Sequence, residues 1–347
     1  MSDTEDTEDT VVQERLAVFP YTTPARTLRR NERLLLERAQ PGPGPHGAMW
    51  SGVEAVQVVR AGATFRDQEF APPRWIYQGP GGRIEWTNMN SRQPIYHRNL
   101  DVDEMTYQVT GHRTLMTELG TAELRPGDFV RIPCGVCHDN WGRDDIHVIW
   151  YLPEGYSEER DPVSVSEPRI PPFEGWEPAT VNEMITDCLG SNEPDHDVAA
   201  HRSDERLILE QVHQETERLA VLRVPEPAAG STPATSVIWR GETALIEVVD
   251  LDREPGLVYT RHRNADDIQF QVSGTRLLVS QHGSIELQPG DFVRVPVGVA
   301  ATSIAVGRSR HISTLVSHRL PRWAPEYVSA QWWDAAQVAH YRERVPR

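Results

Sequence analysis

The strongest constraint on the fold is an internal repeat. Residues 124–136 read LRPGDFVRIPCGV and residues 287–299 read LQPGDFVRVPVGV, so 10 of the 13 positions are identical. The two stretches lie 163 residues apart, and the match extends upstream without gaps, from QVTG at 108–111 to QVSG at 271–274. Two copies this similar indicate that one fold is used twice along the chain.

Each copy has the pattern of short β-strands. Runs rich in Val, Ile, Thr, Tyr and Phe are separated by Pro-Gly and Gly turns at intervals of about eight to twelve residues. Pro126 and Gly127 suit a tight turn, and Phe129 to Ile132 follow as a strand. Many short antiparallel strands favour a closed barrel or jelly roll, which leaves few free edges. We therefore predict an all-β fold of two barrels with a few peripheral helices.

The chain is long enough, at 347 residues, for two domains that each bury a core. We expect a disordered acidic tail over 1–15, an N-terminal barrel with the functional site over 16–155, a linker with a helix over 156–225, a degenerate C-terminal barrel over 226–322 and a helical tail over 323–347. Apolar spacing predicts helices in three stretches, namely Ser203 to Leu222, Tyr327 to Tyr341 and Thr27 to Arg38.

Charge and composition restrict the partners. The formal net charge of −16 argues against nucleic acid or an anionic membrane as a partner. All 35 basic residues are Arg, which excludes catalysis by a lysine. No N-terminal apolar leader and no long apolar run is visible, and only three cysteines occur, so we expect a cytoplasmic protein that does not span a membrane.

Alternation along one strand predicts a polar inner face. Side chains on a strand point to opposite faces in turn, so Glu104, Thr106 and Gln108 share a polar face. The opposite face is apolar and is expected to pack against the other barrel. Its residues are Met105, Tyr107 and Val109, and their counterparts in the second copy are Ile268, Phe270 and Val272.

Two motifs in this region resemble those of the cupin superfamily. Gly127, Pro133, Gly135 and His138 match the second cupin motif, G-x5-P-x-G-x2-H. The first motif, H-x-H-x4-E-x6-G, is matched by His97, Glu104 and Gly111, with Asn99 in place of its second His. The chain thus resembles a bicupin, which implies barrels of six to eight strands and a metal ion in the mouth of the barrel.

The resemblance implies that His97, Glu104 and His138 hold the metal. Two imidazoles and one carboxylate with open positions are typical of non-haem Fe(II) oxygenases, although imidazole also suits other metals such as Zn. Asn99 would be either a fourth ligand or a residue that orients His97. Asp103 is a competitor of Glu104, but the spacing to Gly111 favours Glu104.

The second copy has lost these ligands. At the same offset, Ala301 stands in the place of His138, Asp267 in that of Glu104 and Thr260 in that of His97, while His262 stands in the place of Asn99. The turn residues remain. We therefore predict that the C-terminal barrel is structural and lacks the metal site.

The string Tyr96-His97-Arg98-Asn99 with a Glu shortly after it resembles the iron-binding segment of homogentisate 1,2-dioxygenases, and also that of the catalytic subunit of two-subunit hydroquinone 1,2-dioxygenases. This implies aromatic compound catabolism, in which a dihydroxylated or aminophenolic ring is cleaved with O2 by Fe(II), with Zn, Mn or Ni as alternative metals. Tyr96, Gln108 and His147 are the candidate catalytic neighbours. We expect a homo-oligomer, and the resemblance allows a second, small subunit.

Other interpretations remain open at this stage. A cupin can bind a metal without redox chemistry, as an isomerase, a decarboxylase or a cyclase, and a bicupin can serve for binding or storage. The string from Cys134 to His138 also reads C-x-x-C-H, which is typical of haem attachment. The cupin motif, however, needs this His and neither Cys.

Overall fold

A computed structural model describes residues 9–19, 26–39, 54–67, 73–92, 95–153, 155–190, 196–228, 232–317 and 322–346. Within them the fold is nearly all β, as predicted. The N-terminal strands are β1 (Asp9–Arg15), β2 (Arg26–Asn31) and β3 (Gln57–Arg60). The next seven are β4 (Arg74–Gly79), β5 (Gly82–Met89), β6 (Ile95–Asn99), β7 (Asp103–Thr117), β8 (Gly120–Leu124), β9 (Asp128–Ile132) and β10 (His138–Leu152).

The remaining strands continue in the same way. The middle of the chain forms β11 (Ser157–Glu158), β12 (Ser164–Val165), β13 (Thr180–Asp187), β14 (His196–Asp204) and β15 (Ala220–Arg223). The second copy forms β16 (Ala234–Arg240), β17 (Ala244–Glu254), β18 (Val258–His262), β19 (Ala265–Ser273), β20 (Arg276–Ser280), β21 (Gly283–Leu287), β22 (Asp291–Val295) and β23 (Ala300–Ser317). The last two are β24 (Arg322–Trp323) and β25 (Val328–Ser329).

The first barrel is built around two long antiparallel strands, β7 and β10. One half of β10 pairs with β5, and its first residue, His138, pairs with His97 of β6. The second barrel repeats this plan with β19 and β23 in the places of β7 and β10. The Pro-Gly turn before β9 and its copy before β22 have Gly127 and Gly290 at φ +94° and +89°, a conformation that glycine adopts without strain.

The two barrels pack face to face through one shared hydrophobic core. Met105 and Tyr107 of β7 lie in the same buried cluster as Ile268 and Phe270 of β19, and Val109 and Val272 pack at its edge. The predicted packing of these two apolar faces is therefore confirmed. Burial of large apolar side chains contributes about 1.5–3 kcal/mol each, so this contact stabilises both barrels together.

The chain termini cross between the barrels, which departs from the predicted domain limits. β1 pairs in parallel with β18 and antiparallel with β2, and β3 pairs with β22, so residues 9–60 contribute strands to the second barrel. In the other direction β24 pairs with β4 of the first barrel. Residues 9–15 thus form a strand rather than part of a disordered tail, because β18 offers them backbone partners. Residues 1–8 lie outside the described part of the chain.

The segment predicted as a linker, 156–225, largely extends the first barrel. β13 pairs in parallel with β6 and forms a hairpin with β14, while β15 pairs with β9. The sequence of this segment is polar and rich in Pro, and its strands are placed by pairing with the barrel rather than by their own hydrophobic pattern. β13 carries the loop that reaches the site described below.

The helices are shorter than predicted. They are α1 (Glu32–Leu36), α2 (Glu205–Glu210), with a 3₁₀ turn at Gln211–His213, and α3 (Ala335–Arg342). The residues flanking them, predicted as helical, instead join β2, β15 and β25. Asp204, rather than Ser203, caps α2 by accepting a hydrogen bond from the backbone N–H of Arg206. None of the helices within the described residues is long and apolar enough to cross a membrane.

Candidate metal centre

Three side chains from three strands converge inside the first barrel. His97 lies on β6, Glu104 on β7 and His138 at the start of β10. The His97 Nε2 atom is 2.7 Å from His138 Nε2 and 3.4 Å from Glu104 Oε2, and His138 Nε2 is 3.1 Å from Glu104 Oε2. Among the residues that the structure describes, this is the only group of His, Cys, Asp or Glu side chains so arranged.

The turn before β10 positions His138, and its contacts show that the neighbouring acids Asp103 and Glu104 have different roles. Asp103 accepts hydrogen bonds from the Arg131 guanidinium at 3.1 Å and from the backbone N–H of Cys134 at 2.9 Å, so it holds the turn. The second barrel repeats this contact with Asp266 and Arg294. Asp103 is therefore not a competitor for the centre, and Glu104, on the inner face, is the acid that meets the two imidazoles.

The protonation states leave several acceptor atoms facing one another. The Nδ1 atom of His138 is 3.0 Å from the carbonyl oxygen of Val136, so Nδ1 carries the proton and Nε2 presents a lone pair to the centre. Burial alone would raise the pKa of Glu104, but the positive charge that the imidazoles of His138 and His97 carry when they are protonated outweighs it and holds that pKa well below its ordinary value. A bound cation would act on this pKa in the same direction. Glu104 is thus an ionised carboxylate, only 2% exposed.

This arrangement fits a metal ion. Ligand atoms about 2.1 Å from one ion and at right angles to each other are separated by about 3.0 Å. The three separations here, 2.7, 3.1 and 3.4 Å, lie on both sides of that value. A buried carboxylate and an imidazole lone pair directed at one point also need a cation for balance. His97, Glu104 and His138 could therefore hold a divalent ion and leave its remaining positions open.

Asn99 lies beside the centre with its amide oriented toward the carboxylate. Its Nδ2 donates to Glu104 Oε2 at 3.4 Å, and its Oδ1 accepts from Cys188 Sγ at 3.2 Å. In this orientation the amide oxygen faces Cys188 rather than the other three side chains. The structure thus favours Asn99 as a residue that orients Glu104, rather than as a fourth ligand or as the group that orients His97.

A buried, mainly apolar cluster lies beside the centre, and the guanidinium carbon of Arg83 lies 4.3 Å from the centre of the Tyr151 ring. Tyr151 on β10 stands directly opposite Glu104 in the strand register, and it packs with Val102, Ile149, Cys188 and Leu189. The loop that carries Cys188 is held in place by Asp101, which accepts hydrogen bonds from the backbone N–H groups of residues 188, 189 and 190. The sequence analysis missed Tyr151, although alternation from His147 along β10 places it on the inner face.

Tyr96 is not part of the centre, which corrects its prediction as a catalytic neighbour. It precedes His97 on β6, so its side chain points to the opposite face of the strand. There it is fully buried, and its hydroxyl donates to Glu205 Oε1 at 3.0 Å. Glu205 also accepts from Arg92 and from Trp176. Tyr96 thus anchors α2 to the outside of the barrel.

Gln108 and His147 lie inside the barrel but far from the three ligands. They pair with each other across β7 and β10, four residues from Glu104, which is about 13 Å along a strand. The Nε2 of Gln108 donates to Asp145 Oδ1 at 2.6 Å, and His147 Nδ1 is 3.0 Å from the same atom. Gln108 and His147 therefore belong to a buried structural network with Asp145, rather than having the predicted catalytic roles.

The second barrel repeats the pairing of these residues but not their hydrogen bonds, because Gln271 donates to Ser309 Oγ at 2.8 Å and the Nδ1 of His311 has no partner among the described residues. Gln271 pairs with His311 across β19 and β23, just as Gln108 pairs with His147. The fixed offset of 163 would make Arg310 the counterpart of His147. The strand pairings make it His311 instead, because β10 and β23 differ by one residue at an irregularity before this point. The duplication supports a structural role for His147.

The C-terminal barrel keeps an acid, Asp267, in the place of Glu104 but has no imidazole in the place of His97 or His138. Thr260 pairs with Ala301 at the position where His97 pairs with His138.

Cys137, next to His138, is fully buried, and Cys134 Sγ donates to the carbonyl oxygen of Asn99 at 3.4 Å. Both thiols are used within the fold, which disfavours the interpretation of this string as a haem attachment motif.

The sequence matches no family model and no curated protein. Several solved structures are similar in fold. A cupin 2 conserved barrel domain protein from Leptotrichia buccalis has 9% identity, a TM-score of 0.48, and coverage of 77% of this chain and 99% of its own. An oxalate decarboxylase has 11% identity, a TM-score of 0.44, and coverage of 78% and 80%. A salicylate 1,2-dioxygenase from Pseudaminobacter salicylatoxidans has 14% identity, a TM-score of 0.41, and coverage of 68% and 71%.

These identities and TM-scores support no statement about activity. The architecture stands on the strand topology itself, which shows two barrels that repeat one plan with the same turns. It is the predicted all-β fold of two barrels with peripheral helices. Function has to be argued from the site.

Proposed function

We propose that this chain is a non-haem Fe(II)-dependent dioxygenase that cleaves a dihydroxylated or aminophenolic ring. One observation supports the proposal above all. Two imidazoles and one carboxylate converge beside a buried apolar cluster that includes Tyr151 and Ile149. That donor set is typical of Fe(II) oxygenases, and an apolar cluster suits an aromatic ring.

The chain's own residues would bind, orient and shield the reactants. His97, Glu104 and His138 would hold the iron, which supplies the means of activating O2 and the phenol together. The ring would pack against Ile149, Tyr151 and the loop at Cys188, with a hydroxyl or amino group directed toward the centre. His97 has a side chain 35% exposed, so reactants reach the centre from its side.

The charge of Glu104 has a second consequence. Its pKa is held well below the ordinary value, so it remains an anion and does not compete for the proton that the phenol releases. Asn99 donates to the same carboxylate and limits its rotation. The proton would instead leave through solvent on the exposed side of His97.

The test is anaerobic reconstitution of the purified protein with Fe(II), followed by oxygen-electrode assays with homogentisate, hydroquinone, gentisate and 3-hydroxyanthranilate. The proposal predicts oxygen uptake with at least one of these phenols and a ring-opened product by mass spectrometry. His138→Ala, assayed in the same way, should consume no oxygen above buffer. No uptake with any phenol, together with stoichiometric Zn in the protein as purified, would favour a non-redox cupin such as an isomerase or decarboxylase.

A further inference from the structure

The second barrel contains a polar cavity of about 450 Å³, within the size range of small-molecule sites. The sequence predicted this barrel to be only structural. The cavity lies between β17, β18, β19 and β23, at the level where the first barrel has its three converging ligands. Hydroxyl, amide, carboxylate and imidazole groups line it together with aliphatic side chains such as Val249, Leu278 and Val295, and none of the described residues around it is Phe, Tyr or Trp.

Two substitutions between the two copies change the chemistry of this space. The strand pairings place Ser313 where the first barrel has Ile149, and Leu245 where it has Arg83. Glu247 takes the place of Glu85, which in the first barrel forms an ion pair with Arg83 at 3.0 Å. Glu247 therefore lacks the guanidinium that neutralises its counterpart, and it faces the cavity instead.

The lining groups are held in fixed positions. Asp267 accepts hydrogen bonds from Ser313 Oγ and from Gln269 Nε2, both at 2.6 Å. Gln269 in turn accepts at 2.7 Å from the Arg276 guanidinium, which is fully buried behind the wall. Side chains locked in this way resemble a pre-formed binding site rather than a loosely packed interior.

Two imidazoles in the cavity have unsatisfied atoms. The Nδ1 atoms of His262 and His311 have no hydrogen-bond partner within the described part of the chain. His311 is only 5% exposed, so its Nδ1 cannot turn to bulk solvent. A buried polar atom without a partner costs about 1–3 kcal/mol. Both Nδ1 atoms are shielded from the cavity surface, so a ligand would meet the remaining faces of the two imidazoles.

We propose that the second-barrel cavity is a binding site for a small polyhydroxylated molecule. Hydroxyl groups both donate and accept, so they match walls that offer the carboxylates of Glu247 and Asp267, the imidazoles of His262 and His311, and several hydroxyl and amide groups. This site is separate from the first-barrel centre, and the proposal does not depend on the dioxygenase activity.

The lining disfavours other ligand classes. An anion would face three carboxylates, those of Glu247, Glu254 and Asp267, with Arg15 as the one cationic side chain among the described lining residues. A metal ion would need three converging ligand atoms, and the described residues form such a group only in the first barrel. An aromatic molecule would find no ring to stack on.

The binding test uses isothermal titration calorimetry on the full-length protein with myo-inositol, D-glucose and D-mannitol as probes. Putrescine and hydroquinone, a diamine and a phenol, are the comparison ligands. The proposal predicts saturable heat with at least one polyol and weaker binding of both comparison ligands. Absence of saturable heat with all three polyols at millimolar concentration, or tighter binding of putrescine, would overturn it.

Two variants locate the site. Ser313→Ile introduces the residue of the first barrel and should fill the cavity, and Glu247→Gln keeps the shape but removes the carboxylate. Each should weaken polyol binding about tenfold or more, the loss expected for one good hydrogen bond. Glu247→Gln keeps the test decisive if Ser313→Ile does not fold. The matched control is His138→Ala, which changes only the first barrel; polyol binding unchanged in both cavity variants, or lost in this control, would contradict the assignment.

Discussion

The indole Nε1 of Trp150 donates a hydrogen bond of 2.9 Å to Thr314 Oγ1, and these two residues occupy the same position in the two barrels. Trp150 pairs with Met105 and Thr314 pairs with Ile268, which are equivalent residues of β7 and β19. The contact therefore crosses the axis that relates the two copies. Trp150 is the donor and Thr314 is the acceptor, so the two equivalent positions carry side chains with complementary roles. Two identical side chains would not supply a donor and an acceptor as simply.

Thr314→Val tests this contact. Valine has nearly the shape of threonine but no acceptor, so the buried indole N–H would lose its partner at a cost of about 1–3 kcal/mol. The midpoint of urea-induced unfolding should fall with little change in slope. The double variant Trp150→Phe with Thr314→Val measures whether the two changes are coupled. Strictly additive effects would show that the hydrogen bond contributes nothing of its own.

Metal content should depend on the first barrel alone. His138→Ala removes one of the three converging ligands and should lower the bound metal from about one ion per chain to near zero. Asp267→Asn changes the equivalent acid of the second barrel and should leave the metal content as it is. Inductively coupled plasma mass spectrometry of the reconstituted and desalted proteins makes the comparison. Equal loss in both variants would place the metal elsewhere.

Asn99 should tune metal affinity rather than determine it. Its Nδ2 contacts Glu104, so Asn99→Ala removes a support of a ligand and should weaken metal binding about ten- to a hundredfold without abolishing it. Competition with a chromogenic chelator gives the affinity. Cys188→Ser is the matched control, because a hydroxyl can still donate to Asn99 Oδ1, and its affinity should stay near that of the unmodified protein. A complete loss in Asn99→Ala would instead make Asn99 a ligand.

Glu247 should make stability depend on pH. Burial, and then the nearby carboxylate of Asp267, raise the pKa of Glu247 to about 7, from an ordinary 4.5. The folded protein holds this proton more tightly than the unfolded chain does. Its contribution to stability is therefore fully present below pH 4.5 and is lost as the pH rises through about 7. Between pH 5 and pH 8 the urea midpoint should fall further in the unmodified protein than in Glu247→Gln. An identical fall in both would contradict the raised pKa.

The sequence predicted the parts of the fold that depend on local pattern. Alternation along 104–109 correctly separated the inner from the outer face of β7, and the Pro-Gly turns correctly marked the strand ends. Motif spacing selected His97, Glu104 and His138, and the structure brings all three together. Such signals are visible in a single sequence because each turn, strand or motif is defined by residues that lie close together along the chain.

The parts that were missed depend on pairing between distant residues. Tyr96 was expected at the site from its position next to His97, but on a strand the neighbouring residue points the other way. The terminal strands that cross between the barrels, β1 to β3 and β24, have no local sequence signature, because an edge strand accepts any extended partner. The second-barrel cavity was hidden for a related reason: the change from Ile149 to Ser313 is visible only after a one-residue shift in alignment.

The crossing strands also constrain how the molecule is made and taken apart. On the ribosome, β1 is made about 250 residues before its partner β18, so it stays unpaired until the second barrel is synthesised. The first barrel receives β24, the partner of β4, only near the end of the chain. A protease that cuts the connector between the copies would leave two fragments that stay associated, because each contributes strands to the barrel of the other. Neither half is expected to survive as a separately expressed piece.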